Sequence, residues 1–195
     1  VSSGRKDTAS LANDLKSKNW LIRHRATIVL GEGGEDAINP LITASFDSTP
    51  KVREQAFQSL SMVYVRTKDR RAVERIIEAA KNNDKSPSVR VVLITSLFQI
   101  REASPSEVIN VIIGYLADEE VVPFSDYSAG KMAEKFLLVM GAEPVPYLIS
   151  FLNNTNPKIK ARVISVLAKI GDLKAVEPLI AVLRDDNPLI RISAA

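Results

Sequence analysis

One short pattern recurs along this chain and constrains its fold more than any other feature. It begins with an apolar residue and an arginine. A small or aliphatic residue lies three positions after the arginine, and a leucine lies seven positions after it. The clear copies are IRHRATIVL, VREQAFQSL, VRVVLITSL and IKARVISVL, with lysine replacing arginine in the last, and the chain closes on the start of another, NPLIRISAA. Internal repeats of this kind fold by stacking equivalent units on their neighbours.

The spacing of the copies gives the size of the repeated unit. A degenerate copy, AGKMAEKFL, has Gly130 at the arginine position, so these positions are 23, 53, 90, 130, 160 and 191. The intervals of 30, 37, 40, 30 and 31 residues correspond to a period of about 34. Within each copy, apolar residues lie one position before the arginine and three and seven positions after it, which is the spacing of one buried helix face.

A second apolar helix precedes each copy, as in INPLITASF, VINVIIGYL and AVEPLIAVL. Short polar turns with proline, such as DSTPK and NTNPK, separate the two helices, and glycine follows several of the second helices, at positions 31, 141 and 171. Proline is tolerated in the first turn of a helix, and glycine favours the C-terminal end. The repeated unit is therefore predicted to be helix A, a tight turn and helix B. The predicted fold class is an all-α solenoid, a right-handed superhelix of helical hairpins.

We expect a single solenoid domain over residues 1–195. The predicted repeats cover about 11–31, 38–64, 72–101, 107–141 and 144–171, followed by a partial unit, 175–195. Because the helix that contains Leu189 and Ile190 is unfinished at Ala195, we also expect further chain beyond this point.

This pattern resembles the HEAT-repeat family, in particular the short repeats of phycobilin-lyase-like proteins. The resemblance extends over nearly the whole chain and rests on an aspartate that ends helix A and a basic residue six positions later in helix B. It implies a structural ladder of these side chains between repeats. The first repeat departs from the pattern with Ser17 opposite Arg23, and in the fourth Gly130 offers no side chain. The matching pairs are Asp47 with Arg53, Asp84 with Arg90, Asn154 with Lys160, and Asp185 with Arg191.

Composition excludes most kinds of catalytic and metal site. The chain has no cysteine and a single histidine, His24, which rules out thiol catalysis, zinc–thiolate sites, histidine triads and two-histidine metal sites. Deoxyhypusine hydroxylase, a HEAT-type enzyme, holds iron through paired histidine–glutamate motifs, which this sequence lacks. We therefore predict no enzyme activity, no catalytic residue, no metal and no cofactor. The absence of cysteine suits a cytoplasmic protein.

Charge and hydropathy restrict the partners. With 26 Lys and Arg against 23 Asp and Glu, the net charge of +3 is ordinary for a protein surface and does not favour nucleic acid. No apolar run reaches the roughly 18 residues needed to cross a bilayer, so we expect no membrane insertion. We interpret the basic stretch VRTKDRRAVER as a solvated helix end rather than a contact for an acidic partner. GEGGEDA is interpreted as a helix end and a loop, and Trp20 as a core plug of the first repeat.

The fourth repeat carries an insertion. Asp118 takes the place of the aspartate that ends helix A, but Gly130 follows it by twelve residues instead of six. Phe124 and Tyr127 lie in the inserted segment, where the regular turns have only polar residues and proline. Insertions in solenoids map to one edge, which is often used for binding. Two interpretations remain open: the rings bind a partner, or they fold back over the gap left by the missing arginine.

The helix-B positions opposite the buried face form the predicted binding surface. In the first three repeats, the residues one, two, five and nine positions after the arginine sum to a charge of −1, whereas in the fourth and fifth they sum to +4. We therefore expect the C-terminal half of a concave helix-B groove to bind an acidic segment of a protein partner. The alternative is that these cations serve only solubility. The expected contacts are Lys131, Lys135, Arg162 and Lys169, with Met132 and Val139 as apolar contacts.

These observations favour a protein–protein interaction scaffold that binds a partner peptide or domain along its helix-B face. Two alternatives stay open: a nucleic-acid-binding HEAT-like protein, and a phycobilin-lyase-like protein that handles a chromophore or cofactor. Fold class alone does not separate the three, because function depends on the sites that a fold carries.

Overall fold

A computed structural model describes residues 7–194 of this protein, which form twelve α-helices arranged as antiparallel pairs. The chain divides after Ser104 into two compact units, called here the N-terminal and the C-terminal unit. Within residues 7–194 there is no β-strand, only an isolated antiparallel bridge between Val121 and Ser128. None of the helices in this range is long and apolar enough to cross a membrane. The predicted all-α architecture of helical hairpins is confirmed.

Each unit contains three hairpins, in which the odd-numbered helix is helix A and the even-numbered helix is helix B. The helices of the N-terminal unit are α1 (Thr8–Asp14), α2 (Trp20–Leu30), α3 (Ile38–Ala44), α4 (Pro50–Thr67), α5 (Arg70–Lys81) and α6 (Pro87–Ile100). Those of the C-terminal unit are α7 (Pro105–Gly114), α8 (Ala129–Val139), α9 (Val145–Ser150), α10 (Pro157–Ile170), α11 (Val176–Val182) and α12 (Pro188–Ala194).

Local sequence sets the ends of the B helices. The prolines predicted to lie in the turns are the first residues of α4, α6, α10 and α12, where the missing N–H group costs no helical hydrogen bond. Asn156 caps α10 by accepting a hydrogen bond from the amide of Lys158 at 3.0 Å. Gly171 ends the same helix with a φ of 70°, a left-handed conformation that glycine adopts without steric cost.

The apolar residues at the repeated helix-B offsets form the core. In α4, Val52, Ala56 and Leu60 are completely buried, and the corresponding residues of α6 and α8 are buried as well. The exceptions are Ile22, which is exposed, and Ile159 and Ala194, which are half-buried. Burial of a full-sized aliphatic side chain contributes roughly 1.5–3 kcal/mol, so this stripe accounts for much of the stability of each hairpin stack.

Small polar residues join adjacent B helices of the N-terminal unit. The hydroxyl of Ser59 on α4 donates to the main-chain carbonyl of Thr27 on α2 at 3.0 Å, and Ser96 on α6 donates to that of Phe57 at 3.3 Å. Both serines and Thr27 are buried. Their small size lets neighbouring helices approach closely, and the hydrogen bonds satisfy polar groups that would otherwise be buried without a partner.

Ion pairs connect successive hairpins and form an arginine–aspartate ladder. Arg23 of α2 pairs with Asp47 in the next turn at 2.6 Å, and Arg53 of α4 pairs with Asp84 in the turn after that at 2.7 Å. In the C-terminal unit, Lys160 of α10 pairs with Asp185 at 2.7 Å. Each pair therefore links helix B of one repeat to the inter-helix turn of the following repeat.

The residue pairs six apart in sequence make a different contact. Arg53 donates to the main-chain carbonyl of Asp47 at 2.9 Å, and Arg90 and Arg191 do the same to Asp84 and Asp185. Because this bond needs only a main-chain oxygen, Arg23 makes it equally well to Ser17, at 2.9 Å. The first repeat therefore does not depart from the ladder. In the fifth repeat, the side chain of Asn154 accepts from the amide of Asn156 at 2.8 Å and so stabilises the turn.

Gly130 lies where the fourth repeat lacks a basic side chain. Its amide donates to the carbonyl of Asp118 at 2.9 Å, and a Cβ at this position would lie 3.0 Å from the carbonyl oxygen of Leu116 and 3.1 Å from that of Tyr115. The first turn of α8 thus packs directly on the main chain that follows α7. This main-chain contact occupies the place of the missing arginine.

The ladder predicts how stability depends on pH. Burial alone would raise the pKa of Asp84, but hydrogen bonds from Arg53 and from the Ser86 amide, together with the charge of Arg53, lower this pKa overall. The pKa of Asp47 is lowered in the same way by Arg23 and Thr49. Carboxylates with a depressed native pKa stabilise the fold fully above their unfolded pKa of about 4, and this stabilisation is lost as the pH falls through the native pKa.

We therefore expect the free energy of unfolding, measured by urea titration monitored by circular dichroism, to be level between about pH 5 and 7 and to fall below about pH 4. Asp84→Asn removes one titrating carboxylate, so the decline in acid should be shallower in this variant than in the parent. A stability that stays level down to pH 2 would contradict the assignment.

Candidate functional site

Helices α8 and α10 carry all four basic residues predicted to contact a partner; Lys131, Lys135 and Lys169 line depressions on these helices, whereas Arg162 lines neither of them. We call the surface of these depressions the α8–α10 groove; its rim residues are Lys131 and Lys135 on α8 and Lys169 on α10. The spacing of four between Lys131, Lys135 and Val139 places them on one stripe of α8. Ser128 fixes the start of this stripe, because its hydroxyl caps α8 by accepting from the amide of Lys131 at 3.2 Å.

Two open depressions run along the groove and share Leu138. The first has a volume of about 440 Å³. The second, of about 600 Å³, lies between the end of α8 and the end of α10. The first is lined by Lys131, Glu134, Lys135, Leu138 and Val139, and the second by Leu138, Gly141, Ala142, Lys169, Ile170 and Asp172. The arrangement places apolar side chains next to lysines, which suits an amphipathic segment of a partner.

The four cations differ in their internal partners. Arg162 pairs with Glu119 at 3.0 Å, and Lys158 lies 3.8 Å from the same carboxylate. The hydrogen bond from Arg162, aided by the charge of Lys158, lowers the pKa of Glu119. Lys169 forms an ion pair with Glu134. Two of the four predicted contacts are thus partly neutralised within the chain.

Lys131 and Lys135 have no carboxylate partner among residues 7–194. The ammonium group of Lys131 donates to the main-chain carbonyl of Asp126 at 2.9 Å, which leaves its charge uncompensated. Both lysines are exposed, and Val139, one turn beyond Lys135, exposes 65% of its surface. Met132 is half-buried at the side of the stripe. Lys131 and Lys135 therefore supply the uncompensated positive charge of the groove.

The inserted segment does not cover the gap left by the missing arginine. Phe124 is fully exposed and Tyr127 is 59% exposed, whereas the main chain around Gly130 closes the gap. The sequence left two interpretations open, and the one in which the rings pack over the gap is wrong.

The basic stretch of the N-terminal unit has mainly structural contacts. Arg66 donates to the main-chain carbonyls of Gly31 and Gly33 at 2.5 and 2.8 Å, and so binds the loop that follows α2. Arg71 pairs with Asp69 at 2.7 Å. The prediction of a solvated helix end is confirmed for Arg66, Lys68, Arg70 and Arg71, which are exposed, and is wrong for Arg75, which is buried.

Arg75 is a buried arginine whose burial was not predicted from the sequence. It is buried, its guanidinium carbon lies 3.8 Å from the centre of the Phe46 ring and 5.7 Å from that of Phe57, and its Nε donates to Ser45 at 2.7 Å. The signal was available, because Arg75 lies beside Ile76 on the buried stripe of α5. Stacking on two rings with a hydrogen bond explains how a guanidinium is accommodated there.

Trp20 does not plug the core of the first repeat. It is the first residue of α2, is 41% exposed and contacts the ring of His24 edge to face, with 6.1 Å between ring centres. The prediction fails because a residue in the first turn of a helix can point away from the hairpin. Among the described residues, no cluster of histidine, cysteine, aspartate and glutamate could hold a metal ion.

Helix pairs that stack through a buried apolar stripe and an arginine–aspartate ladder define an α-solenoid protein. Residues 142–195 match the family of HEAT repeats, and for this part of the chain the resemblance inferred from the sequence is confirmed. No curated protein is detectably similar in sequence.

Several solved structures share the fold. The complex of CpcE and CpcF of phycocyanin lyase from Nostoc sp. PCC7120 aligns over 100% of this chain and 76% of its own, with 20% identity and a TM-score of 0.54. Importin beta aligns over 96% of this chain with 14% identity and a TM-score of 0.67, and this chain spans only 29% of its length. An engineered protein aligns over 97% of this chain and 96% of its own, with 17% identity and a TM-score of 0.50.

Proposed function

We propose that this protein is a cytoplasmic, non-enzymatic interaction scaffold that binds an acidic, amphipathic segment of another protein in the α8–α10 groove. The observation that carries the proposal is the position of Lys131 and Lys135, two exposed cations without a carboxylate partner in the described chain, beside the apolar side chains of Leu138 and Val139. Stacked helical repeats commonly present such extended surfaces for binding.

The charges of the groove decide the chemistry of the bound segment. Carboxylates of the partner would contact Lys131 and Lys135, while an aliphatic or aromatic side chain would pack on Leu138. The internal carboxylates Glu119 and Glu134 reduce the local excess of positive charge. The smaller excess of positive charge favours a peptide over a nucleic acid as the ligand, because phosphate backbones are bound by longer arrays of uncompensated cations.

A role in handling a chromophore or cofactor has weaker support. The likeness to the lyase complex CpcE–CpcF has 20% identity and concerns the fold. The α8–α10 groove is open and shallow, whereas sites for small molecules are commonly enclosed and bury most of the ligand. A peptide that lies along two helices fits this geometry better.

The test is a selection of phage-displayed 16-residue peptides on the purified chain, followed by affinity measurement with labelled peptides. We expect the selected peptides to combine Asp or Glu with Leu or Phe. The double variant Lys131→Glu, Lys135→Glu should weaken their binding about 10- to 100-fold, because two attractive contacts become repulsive. Arg162 is left unchanged, since its reversal would also break the ion pair with Glu119.

The matched control is Lys18→Glu, Lys85→Glu, which changes the net charge equally at two exposed sites of the N-terminal unit. This variant should bind the selected peptides like the parent. Peptides without acidic residues, or equal loss of binding in both double variants, would contradict the proposed groove. Tight, steeply salt-dependent binding to random duplex DNA would favour the nucleic-acid alternative instead.

A further inference from the structure

The inserted segment of the fourth repeat forms a closed turn, which we call the 121–128 hairpin. The amide of Val122 donates to the carbonyl of Tyr127 at 2.8 Å, and the amide of Ser125 donates to the carbonyl of Val122 at 3.1 Å. The hydroxyl of Ser125 also donates to the Val122 carbonyl, at 2.9 Å. Lys131 of α8 anchors the hairpin through the carbonyl of Asp126. The segment is therefore held in one conformation by its own hydrogen bonds and by helix α8.

Phe124 at the tip of the hairpin has an unfavourable backbone conformation. Its φ is 61°, in the left-handed region, and it follows Pro123 in a four-residue turn that begins at Val122 and ends at Ser125. A turn with proline at its second position and a left-handed residue at its third normally has glycine or asparagine there. A phenylalanine at this position is a steric cost to folding.

No packing among residues 7–194 offsets this cost, because the ring of Phe124 is fully exposed there. Tyr127 and Val121 on the same hairpin are exposed too. Three apolar side chains are thus presented together on a rigid support. Neither the local conformation nor the core explains why phenylalanine stands at position 124, and residues held in strained backbone conformations cluster at functional sites.

We infer that the 121–128 hairpin inserts the ring of Phe124 into an apolar cavity on a folded protein partner, with Tyr127 and Val121 against the rim of that cavity. A ring that is exposed on all sides can be buried only in a concave surface, which a folded domain has and an extended peptide lacks. A rigid aromatic anchor loses little conformational freedom on binding, and such anchors dominate the energetics of protein interfaces.

Charge distinguishes a protein partner from a membrane. Asp126 is exposed two residues after Phe124, whereas Glu119 beside the hairpin is already paired with Arg162. An anionic bilayer would repel the carboxylate of Asp126. A protein cavity bordered by a basic side chain would attract this carboxylate, so the expected partner has an apolar cavity with a positively charged rim. The inference rests on the proposed protein-binding function, but it uses a different surface from the α8–α10 groove.

The first experiment uses the purified chain and the variant Phe124→Asn. Asparagine tolerates the left-handed conformation, so the thermal midpoint should be unchanged or raised, while Phe124→Leu should resemble the parent. A lower thermal midpoint in Phe124→Asn would show that the ring serves folding, and this result would overturn the inference.

The second experiment places a photoreactive benzoylphenylalanine at position 124, with Lys174 as an exposed control position. After irradiation in lysate of the source organism, mass spectrometry should map cross-links from position 124 to side chains that line an apolar cavity of one folded protein. The purified partner should then bind Phe124→Asn at least about tenfold more weakly than the parent, and Phe124→Leu with an intermediate affinity. Capture alone does not support the inference. Cross-links no more specific than those of the control, or equal affinities, would overturn it.

Vesicles of phosphatidylcholine and phosphatidylserine are the membrane probe. We expect no cosedimentation of the parent, and binding that depends on Phe124 would overturn the inference in favour of a lipid surface. The two proposals can fail separately. Phe124→Asn should bind the phage-selected acidic peptides like the parent, and Lys135→Glu, which leaves the bond from Lys131 to the hairpin intact, should keep the position-124 cross-link.

Discussion

Gly130→Ala should destabilise the C-terminal unit by about 2–3 kcal/mol, the cost of forcing extra atoms into a tightly packed site. The added Cβ would meet three main-chain carbonyl oxygens, those of Tyr115, Leu116 and Asp118. Main-chain atoms cannot rotate away as the end of a long side chain can. Relief of the clash therefore requires α8 to move and the bond from the Gly130 amide to the Asp118 carbonyl to lengthen.

Gly114→Ala is the matched control, because Gly114 is also helical and nothing lies within 4 Å of an added Cβ there. Alanine has a higher helix propensity than glycine, so this variant should be neutral or more stable by about 0.5–1 kcal/mol. Urea unfolding of both variants gives the comparison. Equal stabilities of Gly130→Ala and Gly114→Ala would mean that the contact between α8 and the preceding main chain is looser than described.

Asp84→Ala should destabilise the N-terminal unit by about 2–3 kcal/mol. The change removes two hydrogen bonds from Arg53, at 2.7 and 2.8 Å, and the bond from the Ser86 amide. The guanidinium of Arg53 then keeps only main-chain carbonyl partners in a site where its side chain is 15% exposed. The expected cost lies below that of a fully buried pair, because water reaches both side chains.

Two comparisons separate this effect from a general loss of charge. Glu119→Ala breaks the pair with Arg162, which has a similar distance but is about half exposed on both sides, and this variant should change stability little. In a double-mutant cycle, Arg53→Ala combined with Asp84→Ala should be less destabilising than the sum of the single changes, because no unpaired guanidinium remains. Additive effects, or an equal loss in Glu119→Ala, would contradict a stabilising role for the ladder.

The aspartates and arginines of the ladder illustrate what spacing can and cannot predict. A separation of six residues correctly points to contact between the two positions, but that contact is from the arginine to a main-chain oxygen. The carboxylate of Asp84 instead faces Arg53, 31 residues earlier in the chain. The partner of the carboxylate depends on how one hairpin stacks on the next. For the same reason, Arg23 has a place in the ladder although Ser17 does not match the pattern.

The candidate site shows the same division. Periodicity within α8 was sufficient to place Lys131 and Lys135 on the surface stripe, because that stripe depends on the geometry of one helix. The pairing of Arg162 with Glu119 and of Lys169 with Glu134 joins residues 43 and 35 positions apart, so no local rule could reveal that these cations are partly neutralised.

The sequence by itself determined the helical hairpins, their boundaries and their buried faces, because helix periodicity, proline starts and glycine ends act within a few residues. Tertiary structure alone decided which charges remain unpaired and which aromatic rings the guanidinium of Arg75 contacts. These features depend on contacts between segments far apart in the chain. Distances of this kind are set by the packing of one repeat on another, and the pattern within a repeat does not contain them.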